Sequence, residues 1–163
     1  MNSLSKKQIV IILFIAIAAI FRLLPHLPNV TPVTAMALFS GVYFTDKKFA
    51  FIIPICAMML SDIFLGFSTI SIFVYLAFIL VGLIGIKSKK MSITTVLISS
   101  ISFFIITNFG VWLLAYPKTV NGLLECYTLA IPFFRNSLIG DFFFAAIMYF
   151  SFEFVSKKYL KTA

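Results

Sequence analysis

The chain has 163 residues, 62% of them apolar and 11% charged, with a mean hydropathy of +1.13. A soluble domain carries about a quarter charged residues, so this composition excludes an ordinary water-soluble enzyme or scaffold. The length suits one membrane domain, residues 1–163, without a separate soluble one. A formal charge of +8 would suggest nucleic acid in a soluble protein, but here it is first a topology signal.

Six apolar segments follow in chain order: Gln8–Leu24, Thr31–Phe44, Phe49–Phe67, Ile70–Ile86, Ile93–Tyr116 and Ile131–Val155. The predicted fold is therefore all-α, a polytopic transmembrane bundle of about six spans. The second segment is too short to cross: 14 residues at 1.5 Å each reach about 21 Å against a hydrocarbon core of about 30 Å. It must be sheltered by its neighbours. Between the spans lie "TDKK" (45–48), "GFST" (66–69), "KSKKMS" (87–92) and "YPKTVNGLLECYTLA" (116–130), with no repeat or low-complexity tract.

Basic residues in short loops resist translocation. Placing the N-terminus in the cytoplasm puts Lys6, Lys7, Lys47, Lys48, Lys87, Lys89, Lys90, Lys157, Lys158 and Lys161 inside, ten of the thirteen basic residues. Both termini are then cytoplasmic, and only Lys118, Arg22 and Arg135 lie at the outer level. The lysines occur in small clusters without interleaved aromatics, so no nucleic-acid partner is expected. Lys6-Lys7, an apolar run and "AIA" (16–18) mimic a signal peptide, but the run continues to Leu24, so no cleavage is expected.

The connection between the first two segments, "FRLLPHLPNVTPVTAMALFSG" (21–41), interrupts the apolar pattern with Arg22, His26, Asn29, Thr31 and three prolines. Pro25 and Pro28 prevent the helix from continuing. Asn29 or Thr31 can cap the next helix, and Pro32 suits its first turn. Further polar residues gather at the same outer level. Asp62 ends the third segment in "LSDIFLG". Asn108, Trp112 and Tyr116 follow i, i+4, i+8 and share one stripe. "PFFRNSLIGD" contributes Arg135, Asn136 and Asp141 at the start of the sixth.

A polar group inside a membrane is costly unless it meets a partner or water, so this convergence suggests an outward-opening cavity. Arg22, His26, Asn29, Thr31, Asp62, Asn108, Trp112, Tyr116, Arg135, Asn136 and Asp141 are the candidate substrate-binding residues. Plainer roles compete at each: Arg22 snorkelling to lipid phosphates, His26 solvated in a loop, Trp112 and Tyr116 in an interfacial aromatic belt. For Asp62 and Asp141 the plainer role is a structural ion pair with Arg22 or Arg135. The positive end of the second helix, with Arg22 and Arg135, favours a carboxylate- or phosphate-bearing solute, with residues 25–31 as a lid.

Catalytic signatures are missing. The chain has no P-loop, HExxH or GxSxG motif and a single His, so neither an enzyme, a metal site nor a cofactor is expected. Cys56 and Cys126 fall at different depths, and no disulfide between them is expected.

The runs "LPHLPNVTPVTAMALFSGVYF", "LSDIFLG", "NFGVW" and "CYTLAIPFFRNSLIGD" resemble an uncharacterised family of small bacterial membrane proteins over nearly the whole chain. That family is in turn similar to the substrate-binding (S) components of energy-coupling-factor transporters. The resemblance implies a six-helix vitamin or cofactor binder of the inner (cytoplasmic) membrane, with an outward site covered by the helix 1–2 connection. It also implies a transmembrane coupling subunit and two ATPases as partners, besides lipid. One departure stands out: S components often carry Ala-x-x-x-Ala on helix 1 for docking, whereas here Ala16 is followed four residues later by Ile20. Small residues spaced by four fall on the second helix instead, at Ala37 and Gly41, and serve close helix approach.

The expectation is thus a membrane transport protein that captures a small solute from outside. The alternative is a structural or assembly protein of the cell envelope with no small-molecule ligand. The topology has a direct check. A cysteine replacing Asn121 should react with an impermeant thiol reagent in intact cells, and one replacing Ser88 should not; the reverse pattern would invert the assignment of the two faces.

Overall fold

The structure is a computed structural model that describes residues 4–25 and 27–160; His26 lies outside the described residues. The fold is all-α, with no strand among the described residues. Six helices follow one another: α1 Lys6–Phe21, α2 Val33–Tyr43, α3 Lys47–Leu65, α4 Ser71–Ser88, α5 Ile93–Ala115 and α6 Val120–Val155, the last continued by a π-helical turn, Ser156–Leu160. Helices α3, α4, α5 and α6 are each long and apolar enough to cross a membrane, as in a multi-pass membrane protein. The loops 22–32, 66–70 and 116–119 mark one end of the bundle, called here the proline-loop end. The lysine-bearing connections mark the other.

The short second helix is the centre of the fold. α2 has 11 residues, about 16 Å, and packs against all five other helices. Val33 through Gly41 are all buried. The expected shelter is therefore complete. Its lower half lies against α4 through glycines. A Cβ on Gly41 would sit 2.2 Å from the Gly82 carbonyl oxygen, and one on Gly85 would sit 2.7 Å from that of Leu38. The small residues at Ala37 and Gly41 thus serve packing inside the chain, letting two backbones touch where lipid supplies no hydrophobic drive for association. The Ser40 hydroxyl donates to the Ala50 carbonyl at 2.6 Å and ties the same end of α2 to α3. Around it, Phe39 packs on Phe152 at 5.3 Å and 87°, an edge-to-face pair.

Two sequence expectations need correction. α2 starts at Val33 with Pro32 at its cap and no side-chain cap, so neither Asn29 nor Thr31 caps it. Asn29 instead turns the chain: Val30 N–H bonds the Leu27 carbonyl at 3.0 Å, and Asn29 has φ 63°. A proline followed by a residue at positive φ is the pattern of a type II turn, and Asn tolerates that position.

The second correction concerns residues 116–130, expected as a loop and found mostly in helix. α6 runs 36 residues, about 54 Å, because Thr119 caps it, accepting from Gly122 N–H at 3.1 Å. Pro132 is not its start but an interior residue. The early turns are held along α5 by the Tyr127 hydroxyl, which donates to the Ile105 carbonyl at 2.7 Å. Gly122 is packed so tightly on the loop that a Cβ would lie 2.3 Å from the Pro117 carbonyl oxygen.

Overpacking a close helix contact costs about 1–3 kcal/mol. Gly41→Ala and Gly85→Ala should each therefore lower the thermal midpoint of the detergent-purified protein clearly, since both new methyls meet backbone that cannot yield. A scanning-fluorimetry midpoint unchanged in both variants would refute the contact.

Candidate functional site

Two separate polar sites emerge where one was expected. The first lies at the proline-loop end between α1, α3 and α4. Arg22, just past the end of α1, pairs with Asp62 on α3 at 2.5 Å, and its guanidinium also bonds the Ser61 hydroxyl. On the other side of the acid, the Tyr75 hydroxyl of α4 donates to Asp62 at 2.6 Å. Asp62 is 3% exposed. These side chains bond one another and the Met58 carbonyl, and none of them lines the cavity described below. For Asp62, the structural ion pair with Arg22 is the observed arrangement.

The second site is a cavity of about 290 Å³ between α4, α5 and α6, bounded at its mouth by Asn29 of the 22–32 loop. It exists because α6 leaves α5. Tyr127 reaches Ile105, yet Asp141 meets Ser100, so α6 advances fourteen residues while α5 descends five. Those lengths are about 21 Å and about 7.5 Å of helix. The excess of α6 is spread around Pro132, whose missing N–H breaks the regular ladder. Into the gap project Phe133, Phe134 and Ser137 from α6, facing Phe103, Phe104, Thr107 and Asn108 of α5. Phe104 and Phe134 meet at one side of it, their rings tilted at 38° with centroids 4.5 Å apart.

Asp141 lines the cavity and is 4% exposed. Ser100 and Thr34, the latter in the first turn of α2, are the polar neighbours of its carboxyl group, and the Ser100 hydroxyl donates to the Val96 carbonyl at 3.0 Å. No Lys or Arg pairs with it among the described residues. Its depth corrects the sequence reading. Ser100 lies fifteen residues, about 22 Å, below Ala115, the proline-loop end of α5. Asp141 is therefore past the middle of that helix rather than at the outer level. The loop 22–32 follows the same descent: Gly140 packs against Val30, where a Cβ would come within 3.1 Å of the Val30 Cα. Irregular backbone at such depth is tolerated where it is enclosed by protein or lines a cavity.

The other predicted residues divide between these sites and structural duties. Asn29, Asn108 and Asp141 line the cavity; Arg22 and Asp62 form the ion pair. Thr31 is half-buried beside Gly140, and Asn136 donates to the Pro28 carbonyl at 3.4 Å, steadying the loop. Trp112 and Tyr116 share a stripe with Asn108 but do not reach the cavity. Trp112 donates to the Pro117 carbonyl at 3.0 Å, and Lys118 Nζ caps the end of α5 on the Trp112 and Tyr116 carbonyls at 3.0 and 2.7 Å. Arg135 is exposed and forms no ion pair among the described residues, so the expected Arg135–Asp141 pair is not formed.

Sequence reasoning missed the aromatic walls. The signal was present: Ser100, Phe103, Phe104, Thr107, Asn108 and Val111 recur at three- and four-residue spacing, as do Ala130, Phe134, Ser137 and Asp141. Each set is one helix face on which hydroxyl, amide or acid groups punctuate apolar residues.

A bundle of apolar helices around a partly polar cavity defines a helical membrane protein with an internal site of small-molecule size. More narrowly, the chain belongs to DUF6580, a family of unknown function that it matches over residues 2–162. No curated protein and no solved structure matches it.

The ion pair invites a double-mutant test. Removing one partner of a buried pair leaves an uncompensated charge and costs about 3–5 kcal/mol, whereas replacing both with apolar residues is nearly neutral. Asp62→Leu alone should depress the thermal midpoint more than Arg22→Met combined with Asp62→Leu. Additive losses would show that the two side chains are not coupled.

Proposed function

We propose that this protein binds a small solute in the cavity beneath the 22–32 loop, as the capture component of a membrane uptake system. The observation that carries this reading is Asp141: a deeply buried acid, without a cationic partner among the described residues, on the wall of a cavity whose mouth is a surface loop. Intramembrane acids are costly and mark ligand or ion paths when structure does not consume them. A volume of about 290 Å³ is at the small end of the range for ligand pockets, about 300–1,000 Å³, and suits a compact solute.

The resemblance to energy-coupling-factor S components agrees with this in helix number, in the placement of the loop over the cavity and in the absence of a nucleotide-binding motif. Uptake driven by ATP then needs separate subunits. Docking of such a partner has no Ala-x-x-x-Ala on α1 to rest on, and the comparable spacing at Ala37 and Gly41 is consumed inside the bundle. An envelope assembly role would account for the Arg22–Asp62 pair equally well, but it leaves Asp141 and its cavity without a purpose.

The test is retention. Full-length protein purified in mild detergent should release a small molecule on denaturation, detected by mass spectrometry. Asp141→Asn should lose it, while Glu153→Gln, at the lysine end beside Lys157, should keep it. Pro25→Ala with Pro28→Ala frees the loop and should speed release roughly three- to tenfold with little effect on folding. A protein that retains no solute and is stabilised by none would overturn the capture reading in favour of the assembly role.

A further inference from the structure

The chemistry of the cavity narrows the solute class, and this step rests on the capture reading above. We infer that the solute is a small organic cation, an amine or quaternary ammonium, held with its charge against Asp141 and its carbon body between phenylalanine rings. The described lining contains one carboxyl group and no Lys or Arg. That is the reverse of what a carboxylate or phosphate would require, so the anionic solute expected from the helix dipole does not fit. The positive end of α2 already has an acid beside it, because Thr34 in its first turn neighbours Asp141.

Asp141 has two hydroxyl neighbours, Ser100 and Thr34, and the Ser100 hydroxyl already donates to the Val96 carbonyl. A carboxylate offers about four acceptor positions, so positions remain for N–H groups or for the face of a quaternary ammonium. Neutral hydroxyls do not cancel its charge. At 4% exposure that charge is costly, and a bound cation removes the cost. Around it the wall is built by Phe103, Phe104, Phe133 and Phe134, and the faces of such rings carry negative potential that attracts ammonium groups within about 6 Å of a ring centroid. Inorganic cations fit less well, since Asn108, Asn29, Thr107 and Ser137 give scattered oxygens and the described residues hold no cluster of metal ligands.

The experiment uses full-length protein in lipid nanodiscs at fixed sodium concentration, with thermal midpoint and equilibrium dialysis as readouts. Three probe sets are compared: choline, ethanolamine and putrescine; their neutral counterparts 3,3-dimethylbutanol and glycerol; and the anions acetate and glycerol 3-phosphate. Members of the cationic set should raise the midpoint and the others should not. Asp141→Asn should weaken that binding at least tenfold and Asp141→Glu should retain part of it. Phe133→Leu, at an exposed position outside the packed core, should weaken choline severalfold more than it weakens putrescine. Stabilisation by the anions, or an undiminished response in folded Asp141→Asn, would overturn the cation assignment while leaving solute capture standing. A chain that responds to no set and retains no molecule would overturn both.

Discussion

An 11-residue helix enclosed by five others is the constraint from which the rest of the structure follows. At about 16 Å it covers barely half of a hydrocarbon core of about 30 Å, so its ends cannot both reach water. The lysine end of α2 is anchored by glycine contacts with α4 and by Ser40 to α3. Its other end must then stop deep in the bundle, and the chain leading to it must descend as irregular backbone. Such backbone is stable there only under cover, which the early turns of α4, the length of α5 and the departing arm of α6 supply.

The two buried acids show how differently the same side chain can be accommodated. Asp62 meets a guanidinium and a phenol, and its environment is complete without any further molecule. Asp141 meets only hydroxyls. In a low-dielectric interior, hydroxyl bonds orient a carboxylate but do not supply the counter-charge that removes most of the burial cost. A protein that needed the position only for packing would be served by a neutral residue of similar size. That asymmetry is the basis of the proposal that Asp62 serves the fold and Asp141 a ligand.

Much of this was legible in the sequence, for identifiable reasons. Long apolar runs bounded by lysine clusters placed α1, α3, α4 and α5 closely, and 14 residues between Thr31 and Phe44 already required shelter. Prolines at 25 and 28 correctly marked a break. The same proline logic misled at Pro132, where the hold of Tyr127 on α5 and the packing of Gly122 on Pro117 accompany a helix that runs on through a residue that usually ends one. The loss of that boundary displaced Asp141 by several turns and paired it, on paper, with Arg135. The aromatic walls were illegible for another reason: in lipid, a phenylalanine facing a cavity and one facing acyl chains look alike in hydropathy, and only the interspersed Ser100, Thr107 and Ser137 distinguish the face.

The loop and the floor of the cavity are mechanically one unit. Asn29 at the mouth, Val30 against Gly140 and Thr34 on Asp141 lie within six residues of chain, so a load on the carboxyl group bears on the first turn of α2 and, through Pro32, on the loop. The lower half of α2 cannot absorb that load by sliding, because Gly41 is in backbone contact with Gly82 and Gly85. Movement is thereby directed to the uncapped upper end, where Val33, Thr34 and Ala35 have no side-chain cap to hold them and the 3.4 Å contact from Asn136 to Pro28 is the weakest of the loop's restraints. On the capture reading, a ligand touching both Asp141 and Asn29 would bear on both ends of the same short segment, and differential contact with two positions of that segment is the thermodynamic requirement for occupancy to set the loop's position.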